Sequence, residues 1–321
     1  MAVRLLAALL ALLSGSVAFA AAGAALPRVM STNLCADMLV LGLAEPAQIV
    51  SVSRKSQDPR RTAMYEQARR HPANDGSAEE VLALRPDVVL ASRRWQARHQ
   101  AALFERHGIE IVTVPYPTDW DGIFASTRHI AGRLGRATAG EALVADVQAR
   151  IAHLQASTHP ARALYLRPNG GSAGAGTYVD AVFQAAGVRN HATESGRRGW
   201  GRVALEDVVA DPPDLFVVSS MLNDTTYARS GFARHPQMRA LLAERPVVRM
   251  DGNDWGCSNW QLIEAAEDIA AQLARLSPPV PMPRSRASPS RAPLSPVGAG
   301  GAEEAASARQ QITASPARVP Q

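Results

Sequence analysis

The chain has 321 residues, 46% of them hydrophobic and only 5% aromatic, with a formal net charge of +5. That length is enough for two lobes of ordinary domain size. The positive balance does not point to nucleic acid: Lys55 is the only lysine, several arginines lie in the C-terminal tail, and no basic run is interleaved with aromatics.

The chain starts with a predicted secretory signal over residues 1–20. Arg4 supplies the positive start, Leu5 to Leu13 the apolar stretch, and Ala18-Phe19-Ala20 a small-x-small cleavage site. The apolar run is too short to span a bilayer, so the mature protein is expected to be exported and soluble. No cysteine ends the signal to carry a lipid. The N-terminal lobe, 28–137, begins with a strand over 28–31 and a helix over 33–43. Thr32 or Asn33 caps that helix, and Leu34, Met38 and Leu41 share its apolar face. A strand follows at 49–53, then a polar loop over 54–74 with Pro59 and Pro72. A helix–Pro–strand unit occupies 77–92, followed by a helix over 96–107, a strand over 109–114 and a helix over 120–134.

The stretch 138–155 has no proline, and Leu143, Val147, Ile151 and Leu154 recur at helical spacing. One long helix is therefore expected to fill the interlobe segment 138–157, ended by His159-Pro160. The C-terminal lobe, 160–277, carries a strand over 163–167, a glycine-rich loop over 170–176 and a helix over 178–186. A second helix–Pro–strand unit lies at 204–219, then a helix over 236–242, a strand over 247–250, a loop with Trp255 and Cys257, and a last helix over 259–276. Residues 278–321 are Pro, Ser, Ala, Gly and Arg with almost no large apolar residue, a composition expected to stay disordered.

The two helix–Pro–strand units align without a gap: Glu79 falls on Glu206, Pro86 on Pro213, Asp87 on Asp214 and Ser92 on Ser219. Such a unit belongs to an α/β layer with a parallel sheet, and two copies so far apart mean two similar lobes rather than a solenoid. Ligands of such sheets sit beyond the carboxyl ends of the strands.

The order of these features resembles the substrate-binding proteins of ABC importers, the class serving cobalamin, ferric siderophores and haem. The resemblance covers about residues 28–276. It rests on the paired Glu…Pro-Asp units, the single long interlobe helix, and Ala173-Gly174-Ala175-Gly176-Thr177-Tyr178…Ala186-Gly187…Asn190 at the start of the second lobe. Trp200 ahead of Glu206, and Asp254-Trp255 after the last strand, look most like the cobalamin binders. The resemblance implies an α/β fold of two Rossmann-like lobes with parallel sheets joined by one long α-helix, a class III periplasmic binding protein. It also implies a periplasmic, non-enzymatic monomer without an intrinsic cofactor. Such a protein would hold a metal chelate, a ferric siderophore or cobalamin-type corrinoid, in the interlobe cleft. Glu79 and Glu206 would dock on arginines of an ABC permease dimer in the inner membrane. A haem-binding importer component is the alternative within the class.

Several residues are candidates for the cleft. Trp95, Tyr116, Trp200 and Trp255 fall after predicted strands or in loops, where a planar ligand suits an aromatic lining, and Asp254 offers an acceptor. Trp120 and Trp260 stand at helix starts and read as packing residues. Arg54, Arg93, Arg94, Arg167, Arg197 and Arg198 offer partners for anionic groups. Cys35 and Cys257 either form a disulfide, which would staple one side of the cleft, or remain two free thiols. Competing signals are weaker. The loop 170–176 lacks the Lys-Ser/Thr of a phosphate loop, and the histidines show no His-x-x-x-His spacing for a bare-metal binder. No Gly-x-Ser-x-Gly surrounds Ser31, Ser92 or Ser219, which leaves an exported α/β hydrolase as the enzyme-class alternative.

Overall fold

The computed structural model describes residues 25–99, 101–156, 161–220, 231–251 and 255–276. The expected signal, the tail, His159-Pro160 and Asp254 lie outside them. Strand β1 (Val29–Ser31) leads into helix α1 (Leu34–Leu43), with Asn33 rather than Thr32 as its cap: the Asn33 side chain accepts the Ala36 N–H at 3.2 Å. α1 buries Ala36 to Leu41 without interruption, so it is sunk in the core rather than half-exposed.

β2 (Ile49–Ser53) pairs with β1, and the polar segment after it hides a further strand, β3 (Ala73–Asn74), registered through Val52 and Ala73. Two residues are too few to show strand alternation, which is why the sequence reads there as loop. The segment also contains a 3-10 turn (Arg54–Gln57) and a short helix (Tyr65–Ala68). Helix α2 (Ala78–Leu84) opens with a capping box, Ser77 and Glu80 each bonding the other's backbone N–H. β4 (Val88–Ala91) is wholly buried.

The helix expected over 96–107 is two pieces, α3 (Arg93–Arg98) and a short helix at Ala101–Glu105. It starts early because Ser92, read as a strand end, accepts the Trp95 N–H and caps α3. β5 (Glu110–Thr113) completes a five-stranded parallel sheet of order β3-β2-β1-β4-β5. Helices α4 (Trp120–Arg133) and α5 (Ala137–Gln155) follow. They pack closely: a Cβ on Gly140 of α5 would lie 2.4 Å from the Ala131 Cβ of α4, so only glycine fits there. At 19 residues, α5 is on the order of 28 Å long.

β6 (Arg162–Leu166) starts the second sheet. The glycine-rich segment then forms β7 (Gly171–Ala173), followed by α6 (Tyr178–Ala185), capped by Thr177, and the two-residue β8 (Arg189–Asn190). β7 pairs antiparallel with β9 (Trp200–Arg202), a small separate ribbon that the sequence reads as loop. α7 (Leu205–Ala210), β10 (Leu215–Ser220), β11 (Val247–Asp251) and α8 (Leu262–Leu276) follow, with further helices at His191–Glu194, Gly231–Arg234 and Pro236–Glu244, the last of them the one expected over 236–242. This sheet is parallel with order β11-β10-β6-β8. α8 starts three residues later than expected, because Asn259 turns the chain and accepts the Gln261 N–H.

The two sheets remain separate, yet one apolar cluster runs from Val29, Val40 and Leu90 through Val144 and Val147 of α5 to Tyr165, Phe183 and Leu262. Polar ties cross with it. Trp120 Nε1 donates to the Ala181 carbonyl at 3.0 Å, and Ser258 Oγ to that of Pro117 at 2.5 Å. Arg150 of α5 grips Glu267 of α8 through both carboxylate oxygens, at 2.8 and 2.6 Å. A covalent tie joins them: Cys35, in the first turn of α1, is disulfide-bonded to Cys257, ahead of α8, with Cα atoms 5.3 Å apart.

Candidate functional site

In each sheet the chain reverses its order of strands, and the crevice at such a point opens beyond the carboxyl ends of the strands. In the first sheet the reversal lies between β1 and β4. The residues that follow β1, β4 and β5 surround a cavity of about 420 Å³: Asn33 and Cys35 from the first, Ser92 with Arg93 and Arg94 from the second, and Val114, Pro115 and Tyr116 from the third. One face of the interlobe disulfide therefore borders the cavity.

Tyr116 is 61% exposed and links the cavity to the second lobe, its ring meeting the Tyr178 ring edge-on with centroids 6.0 Å apart. Tyr178 opens α6, and its hydroxyl donates to the Trp255 carbonyl at 2.8 Å. Burial pushes that phenol far above the usual tyrosine range, so it stays a neutral donor. The Tyr178 ring also lies 5.3 Å from Trp200 on β9, which is 39% exposed. Beneath them Tyr165 and Trp255 pack at 5.3 Å. Arg167, which directly follows β6, lies over the Trp200 ring with its guanidinium carbon 4.5 Å from the centroid. Its Nε donates to the Tyr165 hydroxyl at 3.1 Å.

Of the sequence candidates, Tyr116 and Trp200 come together on this surface. Trp255 belongs to the same cluster but is only 1% exposed, a floor under the tyrosines rather than a wall of the cleft. Trp95 is elsewhere: its indole N–H donates to the Gly76 carbonyl at 2.6 Å and its ring stacks on His99 at 4.2 Å. It fastens the loop before α2 to α3 and does not line the cavity. Glu79 and Glu206 are exposed in the first turns of α2 and α7. The surroundings of the two differ. Ala204 cannot cap α7 as Ser77 caps α2, and Asp207 is held instead by Arg197 at 2.6 Å. No signal in the sequence marks Tyr165 and Tyr178, both buried, as the support beneath Tyr116 and Trp200. Tyr178 follows a capping threonine and Tyr165 sits mid-strand, so both read as ordinary core.

A model of the family described as "periplasmic binding protein" matches residues 29–246. The chain belongs to that family. Among its relatives is the vitamin B12-binding protein of Pectobacterium atrosepticum, 25% identical over 274 residues, which are 82% of this chain and 94% of that protein. Two solved members share the fold. The periplasmic haem-binding protein of Vibrio cholerae has a TM-score of 0.65 at 21% identity, covering 77% of this chain and 98% of the other. The periplasmic vitamin B12-binding protein of Vibrio cholerae has a TM-score of 0.56 at 18% identity, covering 78% and 97%.

Proposed function

We propose that this chain is the periplasmic substrate-binding component of an ABC importer, holding a metal chelate between its lobes and handing it to a permease. The observation that carries this reading is that Tyr116 of the first lobe and Trp200 of the second are both exposed and are bridged by the buried Tyr178 ring, so that a flat chelate meets an open aromatic ring from each lobe. A cobalamin-type corrinoid or a ferric siderophore is the main reading for the ligand, since relatives of this chain bind vitamin B12. Haem is the alternative, favoured by the haem binders among the fold neighbours. Binding rather than catalysis suits the serines: Ser92 spends its hydroxyl capping α3, and Ser31 donates its own to Asp37.

Delivery rests on Glu79 and Glu206, one on each lobe, which meet arginines of a two-fold permease. The two lobes share an apolar cluster and a disulfide, so capture proceeds with little closure. The test of the ligand is the absorption spectrum and metal content of protein purified from its native periplasm. Corrinoid, ferric catecholate and haem each give a distinct band pattern, and a colourless, metal-free protein that stays so with all three would sink the reading. The test of docking is Glu79→Ala with Glu206→Ala, expected to abolish uptake while ligand affinity stays at the wild-type level. An equal loss of affinity would assign the pair to the ligand instead.

A further inference from the structure

We infer that the cleft selects chelates by charge, taking those with an anionic periphery over neutral or cationic ones. This deepens the chelate reading above and rests on it, and within that reading it favours an anionic ferric siderophore or haem over the uncharged corrinoid. Three guanidinium groups reach the site with no acid to neutralise them among the described residues. Arg93 and Arg94 line the first-lobe cavity, and Arg167 lies over Trp200 on the second lobe. None of the three pairs with a carboxylate among the described residues, and no aspartate or glutamate lines the cavity there. Several arginines away from the cavity are neutralised by an acid: Arg54 pairs with Asp75, Arg128 with Glu141, Arg150 with Glu267 and Arg162 with Asp211.

Local folding does not account for these charges. Arg93 and Arg94 stand in the first turn of α3, with no acid beside them, where the helix dipole disfavours cations. The first turns of α2 and α7 carry Glu79 and Glu80, and Glu206 and Asp207, as the dipole prefers. Arg167 is already oriented. Its Nε is bound to Tyr165 and its plane rests on Trp200, while its two terminal nitrogens have no acceptor among the described residues. A guanidinium fixed in this way loses little rotamer freedom when it takes up a carboxylate or catecholate oxygen, and it binds such groups bidentately. Positive groups on both lobes with aromatic rings between them fit a flat or compact chelate carrying negative charge on opposite edges.

The experiment measures tryptophan fluorescence quenching of the full mature chain by four probes. These are a ferric tris-catecholate (trianion), haemin (two carboxylates), cyanocobalamin (no net charge) and a cationic ferric trihydroxamate. The first two are expected to bind about tenfold or more tighter than the last two at low salt, one charge-assisted bond being enough for that factor. The gap should narrow as salt is added. Arg93→Gln with Arg94→Gln and Arg167→Gln should erase the preference with an unchanged far-ultraviolet circular dichroism spectrum. Arg167→Lys, which keeps the charge but not the planar fork, should fall between. Cyanocobalamin or the trihydroxamate binding as tightly as the anions, or a triple variant that keeps the preference, would overturn the charge selection and leave the chelate reading intact. If no probe of any charge binds, the chelate reading itself falls and takes the selection with it.

Discussion

Asp87 accepts the backbone N–H of Arg28 at 2.7 Å and so fastens the start of β1 to the turn before β4. Asp214 does the same for Arg162 at the start of β6, also at 2.7 Å. The likeness extends to the side chains: Arg28 donates to the Arg85 carbonyl at 2.7 Å and Arg162 to the Pro212 carbonyl at 2.9 Å, each just ahead of the repeated proline. The Pro-Asp pair that marks the duplication is thus a strand-start clamp. Glu79 and Glu206, by contrast, stay exposed.

Asp87→Ala and Asp214→Ala are each expected to lower stability by about 1 kcal/mol, the ordinary net worth of such a hydrogen bond at a half-open site. The sites lie in different sheets and share no partner, so the double variant should lose the sum. Urea unfolding checks this. A wild-type midpoint for both single variants would remove the clamp from the account.

The Cys35–Cys257 bond closes a loop of 222 residues of sequence separation. Constraint of the unfolded chain over so long a loop is worth about 2–5 kcal/mol. Dithiothreitol, or Cys35→Ser with Cys257→Ser, is expected to lower the unfolding midpoint accordingly. Alkylation followed by mass measurement should find both thiols only after reduction. A double variant as stable as the native protein would mean that the apolar cluster and the polar ties hold the lobes without covalent help.

Gly42 meets Trp260 across the lobes: a Cβ there would fall 2.2 Å from the indole Cζ2. Gly42→Ala is therefore expected to cost about 1–3 kcal/mol through overpacking, even though alanine is the better helix former. The displaced Trp260 should shift the tryptophan emission. A Gly42→Ala variant at least as stable as the native protein would show that the Trp260 ring moves aside freely.

Much of this was readable from the chain alone because its long elements are locally consistent. The interlobe helix has periodic apolar residues, the core strands are continuous apolar runs, and Ser77, Asp119 and Thr177 each cap the helix that follows. What escaped was short or tertiary. β3, β7 and β9 have two or three residues each, too few for a period, and exist because a neighbour's backbone offers hydrogen bonds. The exposed aromatic surface was partly visible. Tyr116 and Trp200 stood out as aromatics in loops, whereas Trp95 and Trp255 carried the same signal and serve packing. Composition marks an aromatic after a strand, but only the path of the chain decides whether its ring meets solvent or a neighbouring helix.

Asp37 gives the fold a pH dependence that can be isolated. Its carboxylate is buried where β1, β2 and α1 meet, and it accepts from Ser31 Oγ at 2.5 Å, from the Ser53 N–H at 2.8 Å and from Ser53 Oγ. Burial outweighs these bonds and raises its pKa from 3.8 to about 6, so the folded protein prefers the neutral acid. The sign follows from linkage. The contribution of neutral Asp37 is complete below pH 3.8 and is lost as pH rises through about 6. A shift of this size corresponds to about 3 kcal/mol by pH 7. Asp58, held down to about 2 by Arg60, acts in the opposite sense and in a lower window, losing its contribution as pH falls towards that value. Asp37→Asn, which carries no charge at any pH, should therefore lose its own hydrogen-bond geometry equally at every pH. The difference in urea midpoint between native protein and variant should shrink steadily from pH 4 to pH 7. A difference that stays constant over that range would mean that Asp37 is ionised throughout and that the serine donors outweigh its burial.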